Sequence, residues 1–333
     1  MQATHHHRAL ARARRPLRSV VLAAVLALCG AGASAQTYPD KPIRLIVAFA
    51  AGGLTDTLAR TLQPRLVEGL GQQIIIENRG GAGGTLAEAQ LAKSAPDGYT
   101  LLMSVDSVPA NPHLYRNLGY DMFRDLVPVS MLAAVPLVLV VHPGVPANSP
   151  QEFVAHARSG GRINYGSPGT GTSNHLNMEY FRSVAGFDMT HVPYKGGGPA
   201  MTDLLGGQVQ ALLISVTLAA PHIRSGKLRA LGVAAEKRSS MLPQVPTFGE
   251  GGFAYMRAET WNGLFVPAGT SQAIVQRLHT EFARAIRAPE VEARFRELGA
   301  ETVMNSQAEF TAQLRSEHER LGKLIRDRKI SAD

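Results

Sequence analysis

This 333-residue chain holds a single cysteine, Cys29, which sits in an apolar run near its start. A chain processed beyond that point has no thiol, which excludes disulfides, iron–sulfur clusters, thiolate metal sites and a cysteine nucleophile. Aromatics are scarce at 6% against 33 glycines and 20 prolines, a balance that fits an α/β protein with many tight connections. No long apolar run follows Ala35, so no membrane-spanning helix is expected after it. Catalytic signatures are missing as well. No G-x-S-x-G surrounds Ser167 or Ser173, no G-x-x-x-x-G-K-[ST] phosphate loop occurs, and Gly169–Asn174 lacks the third glycine of a dinucleotide fingerprint. His113, His142, His156, His191, His222, His279 and His318 show no metal-ligand spacing, and no carboxylate pair for hydrolytic work can be picked out. Neither a cofactor nor a metal is expected.

The formal net charge of +8 is largely a property of the first residues. Met1–Arg18 carries five arginines and no acid, so losing them takes Lys+Arg from 34 to 29 against 26 Asp+Glu and leaves +3. A clustered basic face for nucleic acid is therefore not expected. Ser19–Cys29 has the length of a secretory h-region, and Ala33-Ser34-Ala35 is a small-x-small cleavage site. Residues 1–35 read as a leader, with the exported chain starting at Gln36. A membrane anchor or a disordered tail is the alternative, and for an anchor the run falls short of the ~20 residues that a span needs. Pro16-Leu17-Arg18 after Arg14-Arg15 favours the general secretory route over the twin-arginine one, and Leu28 before Cys29 argues against lipidation. The expected location is the periplasm.

Two glycine-rich, hydroxyl-bearing loops stand between strand-like and helix-like runs. Ala48–Asp56 (AFAAGGLTD) follows the apolar Ile43–Val47, and Tyr165–Leu176 (YGSPGTGTSNHL) follows Ile163. Such a loop aims unpaired backbone N–H groups and a positive helix end at one point, making an anion site without a basic side chain. An ordinary strand-to-helix turn would account for the first loop, and a flexible surface loop for the second. Together they suggest one small anion gripped from two sides.

Short β-branched runs alternate with amphipathic segments along the rest of the chain, the pattern of parallel sheets with crossover helices. Strands are expected at Ile43–Phe49, Ile74–Ile76, Tyr99–Met103, Leu137–Val141, Val209–Ile214 and Arg229–Val233. A helix is expected over Thr55–Leu70, with Thr55 or Asp56 near its N-cap and Leu58, Leu62 and Leu66 on one face. Ser149-Pro150-Gln151-Glu152 and Ser306–Glu309 carry helix-start signals. The length exceeds a usual single core, so two lobes are expected. Crossings near Pro136 and Gly263 would make one lobe of residues 36–135 plus 263–333 and the other of residues 136–262. Val192–Val209 (VPYKGGGPAMTDLLGGQV) is a third unusual stretch, in which Tyr194 either lines a cleft or packs as a strand-end aromatic.

Six ordered blocks, YPDKPIRLIVAFAAGGLTD, GQQIIIENRGGAGG, APDGYTLL, YGSPGTGTSNHL, VPYKGGGPAMTDLLGGQV and GKLRALGV, resemble the Bug family, the periplasmic solute receptors of tripartite tricarboxylate transporters. The resemblance implies an α/β, type II-like periplasmic binding protein fold. Its two Rossmann-like lobes, joined by two crossing segments, would close on a small organic acid. It implies that the loops matching Ala48–Asp56 and Tyr165–Ser173 hold the ligand's carboxylate through backbone amides, hydroxyls and waters. The expected binding residues are Phe49, Ala51, Gly52, Gly53, Leu54, Thr55 and Asp56; Ser167, Gly169, Thr170, Gly171, Thr172, Ser173 and His175; and Tyr194 and Ser215. Implied partners are the membrane components of such a transporter or a sensor kinase, with the receptor a monomer. Gln210 and Ser215 stand where relatives often carry an acidic residue, or at Ser215 an acidic or small one, which disfavours an amino-acid ligand and favours a plain mono- or dicarboxylate. The rival reading is a secreted enzyme on the same fold, using Ser173 with His175 or Tyr194.

Overall fold

The computed structural model describes residues 38–331, so the expected leader lies outside the described residues. Within the unit Lys41–Asp333 the chain begins with β1 (Ile43–Val47), α1 (Leu54–Leu70), β2 (Ile74–Asn78), α2 (Thr85–Ala92) and β3 (Thr100–Val105). Two short helices, α3 (Asn111–Leu114) and α4 (Met122–Asp125), lead into the 16-residue β4 (Leu126–Val141). The middle of the chain forms α5 (Pro150–Arg158), β5 (Asn164–Ser167), α6 (Ser173–Ala185), β6 (Thr190–Pro193), α7 (Gly197–Leu205), β7 (Ala211–Ser215), α8 (Val216–Arg224) and β8 (Arg229–Val233). It closes with β9 (Glu259–Pro267), α9 (Gln272–Ile286), α10 (Pro289–Glu297), β10 (Glu301–Thr302) and α11 (Gln307–Arg328).

Local chemistry accounts for these elements. In α1 the side chains of Leu58, Leu62, Leu66 and Leu70 repeat every fourth residue and are all buried. Gly71, in the left-handed conformation at φ +68°, ends that helix. Ser149 caps α5 by accepting from the Glu152 amide, and Ser306 with Glu309 forms a complete capping box on α11. The N-cap of α1 is Gly53, with Thr55 and Asp56 in the first turn as expected, and the Asp56 carboxylate accepts from the Gly52 amide. One expectation shifts. The apolar run before Leu137 is strand too: β4 begins at Leu126 and continues through Pro136.

The strands run in the order β2-β1-β3-β9-β4-β7-β5-β6, with β8 and β10 also paired to β4. β1 lies parallel between β2 and β3, and β5 lies parallel between β6 and β7. In each triplet the chain order therefore reverses at the central strand, while all three strands stay parallel. In open α/β sheets, ligands bind at such switch points, outside the carboxyl ends of the strands. The first part of β4, up to Pro136, pairs with β9, while Leu137–Val141 pairs with β7 and β8. Apolar packing follows the same division. One core holds Leu102, Trp261, Phe265 and Phe310, and another holds Leu139, Phe153, Phe181 and Phe248. Among the described residues, no helix is long and apolar enough to cross a membrane.

Candidate functional site

The two switch points face a common cavity of about 40 Å³. Phe49 follows β1, Val105 ends β3, Pro168 follows β5 and Ser215 ends β7, and all four line it. Gly53, Leu54 and Thr55 enter from the start of α1, Thr172 and Asn174 from that of α6, Gly197 from α7 and Leu218 from α8, with Ile214 and Thr260 completing the wall. Four helix N-termini thus contribute to one small space, and no charged side chain is among its lining residues. Unpaired first-turn N–H groups and the helix dipoles give such a space a positive potential. The Ser215 hydroxyl is buried and has no hydrogen-bond partner among the described residues.

The glycines on either side allow close backbone approach. The Ala50 amide donates to the Lys195 carbonyl at 3.1 Å, joining the first loop to the Val192–Val209 stretch. A β-carbon on Gly83 would stand 2.3 Å from the Thr170 carbonyl oxygen, and one on Gly169 would stand 3.2 Å from the Gly83 Cα. Both sides of the cavity are therefore in contact.

The expected binding residues divide between the cavity and its supports. Phe49, Gly53, Leu54, Thr55, Thr172 and Ser215 line the cavity. Ala51 and Gly52 instead face the Gly196–Gly198 segment, where a β-carbon on Gly198 would meet the Ala51 carbonyl oxygen at 3.6 Å. Asp56 braces the first loop. Its carboxylate accepts from the Gly52 amide at 3.0 Å, from Arg60 at 3.0 Å and from Asn78 at 3.0 Å. Burial alone would raise its pKa, but the hydrogen bonds from Arg60, Gly52 and Asn78 hold it below the usual value.

In the second loop the Ser167 hydroxyl is turned inward, 2.7 Å from His191 Nε2, and accepts from the Gly169 amide. Thr172 caps α6, receiving the His175 amide and donating to the Gly169 carbonyl. The Gly171 amide donates to His175 Nδ1 at 3.2 Å, and Thr170 packs its carbonyl against Gly83. His175 stacks on His191 with ring centroids 3.9 Å apart, and Tyr165 covers His191. Burial first, then neighbouring Arg182, lowers His175 to about 4; burial and His175 lower His191 to about 3.

Three further residues have hydrogen-bond partners within the protein. Ser173, expected to donate to the ligand, gives its amide to Asp106 Oδ1 at 2.7 Å and its hydroxyl to Asp106 Oδ2 at 2.8 Å. Tyr194 donates its hydroxyl to Asp203 at 2.7 Å, and burial and Asp203 push its pKa up to about 12. Gln210 accepts from the Asn164 amide and donates to the Gly207 carbonyl, just before β7 and at the opposite end of that strand from Ser215. Sequence reasoning missed Asp106 and, in the cavity wall, Val105, Pro168, Asn174, Gly197, Ile214, Leu218 and Thr260. Asp106 and Val105 had one available signal, a carboxylate directly following an apolar strand that neighbours β1.

Comparison with known proteins identifies the family. The model of the tripartite tricarboxylate transporter family receptor matches residues 58–330. Protein BugT of Bordetella pertussis is 38% identical over 297 residues, which cover 88% of this chain and 91% of BugT. The periplasmic binding protein BugD superposes with a TM-score of 0.84 at 31% identity, covering 88% of this chain and 99% of that one. An R. palustris protein solved with adipate gives 0.84 at 33% identity, over 88% of this chain and 99% of that chain. MatC from Rhodopseudomonas palustris, with bound malate, gives 0.81 at 32% identity, over 86% of this chain and all of that one. With this fold, these switch-point loops and these matches, the chain belongs to the tripartite tricarboxylate transporter receptor family of periplasmic binding proteins.

Proposed function

We propose that this chain is a monomeric periplasmic receptor for a small organic carboxylate, which it delivers to a tripartite tricarboxylate-type transporter or reports to a sensor kinase. The observation that carries this reading is the cavity at the starts of α1, α6, α7 and α8. It is lined by no charged side chain and contains the unpartnered Ser215 hydroxyl. Backbone amides and dipoles there suit a carboxylate, and the bound adipate and malate of two similar structures support the ligand class. Export would follow cleavage before Gln36.

Closure would join two lobes at two crossings. The chain passes from one to the other between Pro136 and Leu137, where β4 exchanges β9 for β7 and β8. It would return before Glu259, which pairs with Pro136 on β9, upstream of the crossing expected near Gly263. Such hinges let a few backbone positions absorb the motion while each lobe stays rigid. The enzyme reading would use Ser173 with His175 or Tyr194, and all three are engaged elsewhere by Asp106, Gly171 and Asp203.

Denaturing mass spectrometry of protein purified gently from the periplasm tests the proposal. A retained small carboxylate, returned unchanged after prolonged incubation, is expected. Conversion of that acid would support the enzyme instead, and a retained ligand without an acid group would contradict both.

A further inference from the structure

Asp106 directly follows β3, is 5% exposed, and is bonded to the first residue of α6 through both carboxylate oxygens. Thr260 on β9 donates a third hydrogen bond. β3 and β9 belong to the strands around β1, while α6 follows β5 in the chain and packs on β7, β5 and β9. The bond thus joins the two halves of the sheet beside the cavity. A carboxylate at a helix N-terminus is held by the same amides and dipole that would hold a ligand's. A second anion brought to the start of α6 would meet this one at close range, and like charges at such distances repel. The pair also lines a second, larger cavity of about 500 Å³, with Tyr180, Trp261 and Glu317. If the halves part, the carboxylate can rehydrate from there.

We propose that Asp106 is a positioning residue for ligand binding. Its carboxylate fills the N-terminal pole of α6, fastens the closed arrangement, and leaves the ligand's carboxylate to the starts of α1, α7 and α8. The proposal rests on the receptor reading above. It concerns the lifetime of the closed complex, which Asp106 sets without touching the ligand.

Two measurements on the exported chain test it, using Asp106→Ala and Asp106→Asn. In ligand-free protein, amide hydrogen exchange across Ser173–Leu176 should speed up by at least about 10-fold in Asp106→Ala. The asparagine variant, which keeps an acceptor for the Ser173 amide, should fall between it and wild type. With adipate or malate as the probe, stopped-flow kinetics should show dissociation faster by about 10-fold or more in Asp106→Ala, and association unchanged within about twofold. A merely structural loss would lower the active fraction and leave the dissociation rate of the folded protein alone. Unchanged dissociation, or tighter binding because the ligand takes over the vacated helix pole, would overturn the proposal. If neither acid binds wild type, that failure counts against the receptor reading, and the exchange measurement still decides whether Asp106 holds α6. Should the alanine variant not fold, the asparagine variant carries both measurements.

Discussion

The Ser215 hydroxyl, buried at the end of β7 without a partner, bears oppositely on stability and binding. A buried unpaired hydroxyl costs about 1–3 kcal/mol, and a charge-assisted hydrogen bond to a ligand recovers a similar amount. Ser215→Ala should therefore raise the melting temperature of the ligand-free protein by about 2–4 °C while weakening carboxylate binding about 10-fold. Thermal melts and titrations on the same preparation check this, and an affinity equal to wild type would remove Ser215 from the site. His175 and His191 govern acid stability. Burial holds them near 4 and 3, below their ordinary 6.5, so the folded state refuses protons that the unfolded chain accepts. Their contribution is full above about 6.5 and is lost as the pH falls toward 4 and then 3. Asp106 acts in the opposite sense: burial raises it to about 6 against the bonds from Thr260 and Ser173, favouring the fold on the acid side. Burial raises Glu88 and Glu259 as well, so the histidine pair is read by difference: between pH 6.5 and pH 4.5 the melting temperature of His191→Gln should lose less, or gain more, than that of wild type. Equal changes in the two proteins would show that the stacked pair does not stay neutral.

Among the elements, the turn that closes against the second loop is the most constrained. Gly83 has φ +61°, and a β-carbon there would press on the backbone carbonyl of Thr170, which cannot swing aside like a flexible side chain. Gly83→Ala should hold the loops apart and weaken carboxylate binding by at least about 10-fold. Gly119→Ala, a control at another positive φ with open space around it, should leave affinity alone. Comparable losses at both positions in a titration would mean that strain, not approach, is responsible. Both glycine-rich loops were legible in sequence because a strand, a glycine-rich turn and a helix start follow one another along the chain. That the starts of α7 and α8 join them at one cavity follows from the reversal of strand order, which no local pattern carries. The partner of Ser173 lies 67 residues away, and a contact at that separation leaves no periodic trace. β4 was read short because Pro136 resembles a break, whereas it sits where the strand changes neighbours.

For the whole molecule, hinge closure and the means of holding charge are the two consequences. If the halves part about Pro136–Leu137 and Ala258–Glu259, small-angle scattering should give a smaller radius of gyration with saturating carboxylate than without it. An unchanged envelope would indicate a preformed, rigid pocket. The central claim is that fixed amides and helix ends, rather than a cationic side chain, meet a carboxylate. Enclosed dipoles are weakly screened, so affinity should change little with salt, and removing the charge should abolish most of it. The direct measurement is calorimetric titration of wild-type protein with adipate, malate and their primary amides, at low and high ionic strength. The account predicts that at least one acid binds, that its amide binds at least about 100-fold more weakly, and that salt moves the acid's affinity by less than about threefold. An amide that binds as well as its acid would contradict it, as would an affinity that collapses in salt.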